Sequence, residues 1–162
     1  MGEYDLKSNL FFMIKHVFKL MMLLIAFASL SAQNNYYSKK GTVLAGYDVV
    51  GYFNNKVIKG TKAYAFEYDG GTFLFASQEH LDTFKANPES FVPQYGGYCA
   101  YAMAVKGKAV SVDPKTFEIR DGKLYLFYNS WGNNTLESWL EEQPDTLVKQ
   151  ADKNYEDFKK QQ

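Results

Sequence analysis

A thiol, a thioether and an imidazole are the side chains here whose types and spacing suit them best to chemistry. Cys99 is the only cysteine, in the stretch "QYGGYCAY" from Gln94 to Tyr101, behind Gly96 and Gly97 and among three tyrosines. If a helix begins just after the glycines, the sulfur falls in its first turn. There, unpaired amides and the macrodipole favour a thiolate, which is both nucleophile and metal ligand. Met103 lies four residues on, on the same helical face, and a thiolate with a thioether is the soft pair that Cu(I) prefers. His80 is the only histidine beyond residue 32. It becomes a ligand or a base only where the fold carries its helix beside Cys99. Gly96, Gly97, Tyr98 and Tyr101 form a candidate ligand-binding surface, with glycines exposing backbone amides and tyrosines gating a pocket.

Each of these residues also has a plainer reading. A free cysteine packs as a small hydrophobe, methionine at helical spacing fills a core, paired glycines make a tight turn, and aromatic residues crowd a buried helix. Asp48 and Asp113 sit beside turns and read as turn residues. No carboxylate pair, zinc signature, phosphate loop or serine-nucleophile elbow occurs. A covalent enzyme would have only Cys99 and His80 to work with. The pattern therefore leans away from an enzyme.

The elements that must position these groups begin after a leader. From Met13 the chain reads "MIKHVFKLMMLLIAFASLSAQ": Lys15 and Lys19 form a basic region, Leu20 to Leu30 an apolar one, and Ser29, Ser31 and Ala32 a small-residue cleavage zone. The expectation is a signal peptide over residues 1–32, with Met13 a candidate true start, and an exported domain, periplasmic or extracellular. The apolar run is shorter than the roughly 20 residues of a spanning helix, so no stable membrane anchor is expected after cleavage. Three of the 18 basic and two of the 18 acidic residues lie in the leader, leaving 15 against 16. That balance favours neither nucleic acid nor an anionic membrane as partner. In an oxidising compartment a lone cysteine is a free thiol, an intermolecular linker or a ligand.

Residues 33–40 read as a polar lead-in and 41–160 as one domain. "YDVVGYF" and "KVIKG" flank Asn54-Asn55 as a short hairpin. Tyr64, Phe66 and Tyr68 alternate ahead of a "DGG" turn and "TFLFA". Ser77 caps a helix from Gln78 to about Ala86 with Leu81 and Phe84 inward, and Asn87-Pro88 opens one more turn. Tyr98, Ala102 and Val105 keep helical spacing, as do Cys99 and Met103. Asp121-Gly122, between "FEIR" and "KLYLFY", is the strongest hairpin signal. Two helices close the chain, from about Asn134 to Glu142 with Leu136, Trp139 and Leu140 inward, and from Asp145 to Lys160 with Leu147, Val148, Ala151, Tyr155 and Phe158 inward. Hairpins with helices apart from them make a single α+β domain of small antiparallel β-hairpins packed with several short helices.

The stretches "AGYDVVGYF", "FEYDGGTFLFASQEHLDTFKANPESFVPQYGGYCAYA", "VDPKTFEIRDGKLYLFYN" and "ADKNY" together resemble the exported bacterial YHS-domain proteins, small single-domain chains behind a signal peptide. The resemblance runs from roughly Gly41 to Tyr155. It implies a small metal-associated module in which cysteines bind soft metals, copper first among them. In the wider pattern three cysteines recur; here Gly51, Ala76 and His80 stand at those positions, and the exported branch carries its cysteine in the "GGYCAY" stretch. The resemblance implies a soft metal or a small ligand held near Cys99, with Met103 and His80 as further ligands. A thiol redox protein using Cys99, and a structural domain with an inert buried cysteine, are the alternatives.

Overall fold

Two apolar cores sharing one strand organise the residues from Tyr36 to Phe158. The computed structural model describes residues 13–15 and 35–161. The chain divides into two units, Met1–Ala32 and Gln33–Gln162. In the first, residues 13–15 are helical; the signal-peptide reading of residues 1–32 otherwise lies outside the described residues.

In the second unit a small ribbon, β1 (Ser38–Lys39) with β2 (Thr42–Val43), precedes the hairpin of β3 (Thr61–Tyr68) and β4 (Gly71–Phe75). Helices α1 (Gln78–Ala86) and α2 (Ala100–Lys106) follow, then the hairpin of β5 (Asp113–Arg120) and β6 (Lys123–Phe127). A second ribbon, β7 (Asn129–Ser130) with β8 (Asn133–Asn134), leads into α3 (Thr135–Glu141) and α4 (Pro144–Lys159). Each sheet is an antiparallel pair, so the α+β expectation holds.

Both long hairpins turn where Asp-Gly stands. Asp69-Gly70 and Asp121-Gly122 have positive φ at both residues, the mirror-image turn whose twist matches the strands. Register then pairs Phe66 with Phe73 and Ile119 with Leu124. In β6 the two-residue period does more than mark one buried face. Leu124 and Leu126 enter a core with Phe73, Phe75, Phe84, Leu81 and Tyr52, while Tyr125 and Phe127 enter a second with Met103, Trp139, Leu147 and Ala151. β6 is thus buried on both sides. Trp139 is fully buried, and its indole N–H donates to Glu118 Oε2 at 2.8 Å, so the second core closes without stranding that donor.

The structure departs from the sequence expectations in four places. The hairpin around Asn54-Asn55 is a 3₁₀ turn over Gly51–Asn54 with Asn55 left-handed, because the Asp48 side chain takes the amides of Val50 and Gly51 and curls the chain before strands can pair. Only the single bridge of Tyr47 with Lys59 remains. Helix α2 starts at Ala100, one residue beyond Cys99, and Val105 is exposed on it. Leu140 is likewise exposed, while Trp139 and Thr135 are the buried residues of α3. Residues 35–40 are part of the fold: Tyr36 is buried edge-on against Phe73, and the Tyr37 amide donates to the Gly96 carbonyl at 2.7 Å.

That crossing explains the glycine pair. Gly96 and Gly97 both have positive φ, and a Cβ on Gly96 would collide with the carbonyl oxygen of Asn35 while one on Gly97 would press on Leu44. Gly96→Ala is therefore expected to lower stability by about 2–4 kcal/mol, from left-handed strain plus the lost chain crossing; an unchanged urea midpoint would refute this role. Burial of the phenol, reinforced by Asp152, pushes Tyr125 up to about 12 from the ordinary 10.0. Burial also raises Tyr36, Tyr52 and Tyr95. The unfolded chain ionises these phenols first, so their contribution to stability is intact below pH 10; that of Tyr125 is lost as the pH rises from there through about 12, and that of the other three at higher pH still. Alkaline unfolding accompanied by cooperative tyrosinate absorbance is the expected signature, and gradual tyrosinate formation in a folded chain would contradict it.

Candidate functional site

Asp48 follows the tight turn at Gly46 and is completely buried. Its Oδ1 accepts from the amides of Val50 at 3.0 Å and Gly51 at 3.3 Å, and its Oδ2 from the Ala76 amide at 2.8 Å. Oδ2 also meets His80 Nδ1 at 2.6 Å. The Ser77 hydroxyl caps α1 by accepting from the His80 backbone amide at 3.2 Å, which fixes where the helix that carries the imidazole begins. A carboxylate only accepts, so the network assigns the ring proton to Nδ1 and leaves Nε2 with the lone pair when the ring is neutral. The His80 side chain is 17% exposed and that of Asp48 0%. The pair is a carboxylate-oriented imidazole, an arrangement that fixes tautomer and ring direction.

Gly51, Ala76 and His80 are the three positions at which the resemblance places cysteines. The fold brings all three to one point, the carboxylate of Asp48. They contribute N–H donors around an anion, where three thiolates would make an anionic cage around a cation. A soft cation does not fit this centre as built: every lone-pair direction of Asp48 is already donated to, and Nδ1 carries a proton. Among the described residues, no three His, Cys, Asp or Glu side chains are grouped so as to hold a metal ion.

Cys99 forms a second polar node. The residue is 0% exposed and acts as the N-cap of α2, with Sγ accepting from the Ala102 amide at 3.5 Å and the Tyr128 amide at 3.4 Å. The Thr135 hydroxyl lies 3.3 Å from Sγ and donates to the Tyr128 carbonyl at 2.9 Å. The assignment that satisfies every group has the thiol donating to Thr135 Oγ1 while Sγ accepts from two amides. The Cys99 amide donates to the Val110 carbonyl at 2.9 Å, and the residue bridges Leu126 of β6. The thiol thereby ties α2, β6 and the start of α3 together.

The predicted site residues do not gather. Cys99 belongs to the first core and Met103 to the second, so the thioether fills space among Trp139, Phe127 and Ala151. His80 hydrogen-bonds to Asp48 and Ser77, and Cys99 to Ala102, Tyr128 and Thr135, two sets with no member in common. Of the four candidate ligand-binding residues only Gly96 lines the large cleft of about 790 Å³ between Tyr36, Tyr95 and Tyr155. The hydroxyls there are already tied, Tyr36 to Asp69, Tyr95 to Asp152 and Tyr155 to the Asn35 carbonyl. Tyr98 packs edge-on against Tyr37 and Phe158, and Tyr101 donates to Glu142 at 2.8 Å. Sequence reasoning passed over Asp48 as a turn residue. The available signal was an acid flanked by "GY" and "VV", a charge inside an otherwise apolar run.

A small α+β domain with a buried carboxylate holding a loop, a strand end and the imidazole of a helix is the class these features define. The YHS domain model matches residues 52–95. His80 lies inside the matched span, Asp48 just before it, and Cys99 and Met103 beyond its end. No curated protein and no solved structure matches the chain significantly.

Asp48→Asn places an amide N–H₂ against a donor and is expected to lower stability by roughly 2–4 kcal/mol in urea unfolding; a loss under about 1 kcal/mol would remove Asp48 as the organising group. The Cys99 thiol is expected to resist iodoacetamide in the folded protein and to react at the rate of unfolding. Rapid native-state alkylation would contradict its burial.

Proposed function

We propose that this chain is an exported structural or interaction domain with an inert buried cysteine, whose fold around Asp48 is held by hydrogen bonds in the place of a metal. The observation that carries the reading is the convergence of Gly51, Ala76 and His80 as donors on the buried Asp48 carboxylate. Export follows from the leader read in residues 1–32, and intact-mass analysis of secreted protein is expected to give an N-terminus at Gln33. A product that retains the leader would count against it.

A soft metal or small ligand held near Cys99, as the resemblance implies, would have to displace the Thr135 hydroxyl and two backbone amides from a fully buried sulfur, with Met103 turned to the other core. The geometry favours that reading less, and favours thiol redox chemistry less for the same reason. One observation favours a second reading. His80 Nε2 takes no part in the Asp48 network, so the imidazole could contribute a single nitrogen ligand to a borderline metal such as Cu(II) or Zn(II), whose remaining ligands would come from outside this node.

Equilibrium dialysis separates these readings. The hydrogen-bonded reading expects no stoichiometric Cu(I), and a thermal midpoint unmoved by chelator. Tight Cu(I) lost in Cys99→Ser would restore the cysteine site, and Zn(II) or Cu(II) uptake lost in His80→Gln but kept in Cys99→Ser would establish the imidazole site.

A further inference from the structure

The protein's formal charge is balanced, yet its lysines are not evenly spread. A concave cleft of about 430 Å³ is lined by Lys39, Lys40, Lys59 and Lys62, over a floor that includes Ala45 and Leu74. Among the described residues, no acidic side chain lines it. The four side chains come from two segments that the fold draws together. Lys39 and Lys40 sit at the β1–β2 turn, where Lys40 and Gly41 have positive φ. Lys59 and Lys62 flank the entry to β3, held beside that turn by the Gly60 amide donating to the Gly46 carbonyl at 2.9 Å and by the bridge of Lys59 with Tyr47. Gly60 permits the approach, since a Cβ there would collide with the backbone of Leu74.

Lys59 is already placed: its ammonium donates to the Ala45 carbonyl at 3.3 Å and lies 5.0 Å from the centre of the Tyr47 ring. The ammonium groups of Lys39, Lys40 and Lys62 engage no carboxylate among the described residues. Gathering four cations without counter-charge costs self-repulsion, and the concave shape focuses their field inward. Such a cleft is complementary to a compact, multiply charged oxyanion. The apolar floor between the lysines suits an anion carried on an apolar body.

We propose that the Lys39–Lys40–Lys59–Lys62 cleft is a binding site for a phosphate-bearing anion, either free in solution or displayed as a lipid headgroup. The site is separate from the Asp48 and Cys99 nodes and does not depend on whether either holds a metal.

The test uses the full chain, with inorganic pyrophosphate in titration calorimetry and with vesicles of phosphatidylcholine alone or mixed with phosphatidylglycerol in co-sedimentation. The variant Lys39→Gln/Lys40→Gln/Lys62→Gln removes the three unpaired ammonium groups and leaves Lys59 in its packing role. A control, Lys106→Gln/Lys108→Gln/Lys149→Gln, makes the same change in net charge away from the cleft. Each lysine near an anionic surface contributes about fivefold, so the cleft variant is expected to bind roughly a hundredfold more weakly with an unchanged thermal midpoint, while the control binds like the parent. Pyrophosphate binding identifies the soluble anion. Binding only to phosphatidylglycerol vesicles, lost in the cleft variant, identifies the headgroup. Equal loss in the two variants, or no binding of the parent protein to either probe, overturns the proposal.

Discussion

A single buried carboxylate, that of Asp48, governs how the 48–51 loop, the end of β4 and the start of α1 fit together. Burying an ionised group is unfavourable unless nearly every lone pair is met, and Asp48 meets that demand by drawing in donors from three separate segments. The consequence is geometric. The 48–51 loop must curl into a 3₁₀ turn, the end of β4 must present its next amide, and α1 must begin where His80 can reach back. The shared anion makes the positions of the three segments interdependent. That role resembles the one a structural metal plays elsewhere, with the sign of the central charge reversed.

The second organising element is β6, buried on both sides. Its alternation supplies leucines to one core and aromatic residues to the other, so the two cores cannot shift independently. Cys99 bridges to this strand and caps α2, and its sulfur accepts from the amide just beyond the strand's end. A small polarisable atom with one weak donor and room for two weak acceptor contacts suits that junction. Serine would offer the same hydrogen bonds with a shorter reach. The thiol is thus explained by where three elements meet, with no demand for reactivity.

Much of the fold was legible in the sequence because its signals are local. Asp69-Gly70 and Asp121-Gly122 dictate tight turns through their backbone preferences, Ser77 and Pro88 mark helix starts, and alternation in β3 and β5 follows from the pleat. The errors also have local causes. Asn54-Asn55 looked like a hairpin tip because the competing hydrogen bonds come from Asp48, whose side chain decides between turn and strand. Val105 and Leu140 keep helical spacing, yet short helices bury only the residues that a partner happens to cover.

The candidate site was legible only in part. Composition and order alone determined that there is one thiol, one imidazole beyond residue 32, and the turn and cap chemistry that builds an α+β domain. Tertiary structure decided which of these groups meet. It paired His80 with Asp48 instead of Cys99, sent Met103 into the opposite core, and gathered four lysines of an electrically balanced chain into one cleft. Sequence spacing specifies neighbours along a strand or helix, whereas contacts across loops depend on how the cores close and on which buried polar groups must be satisfied.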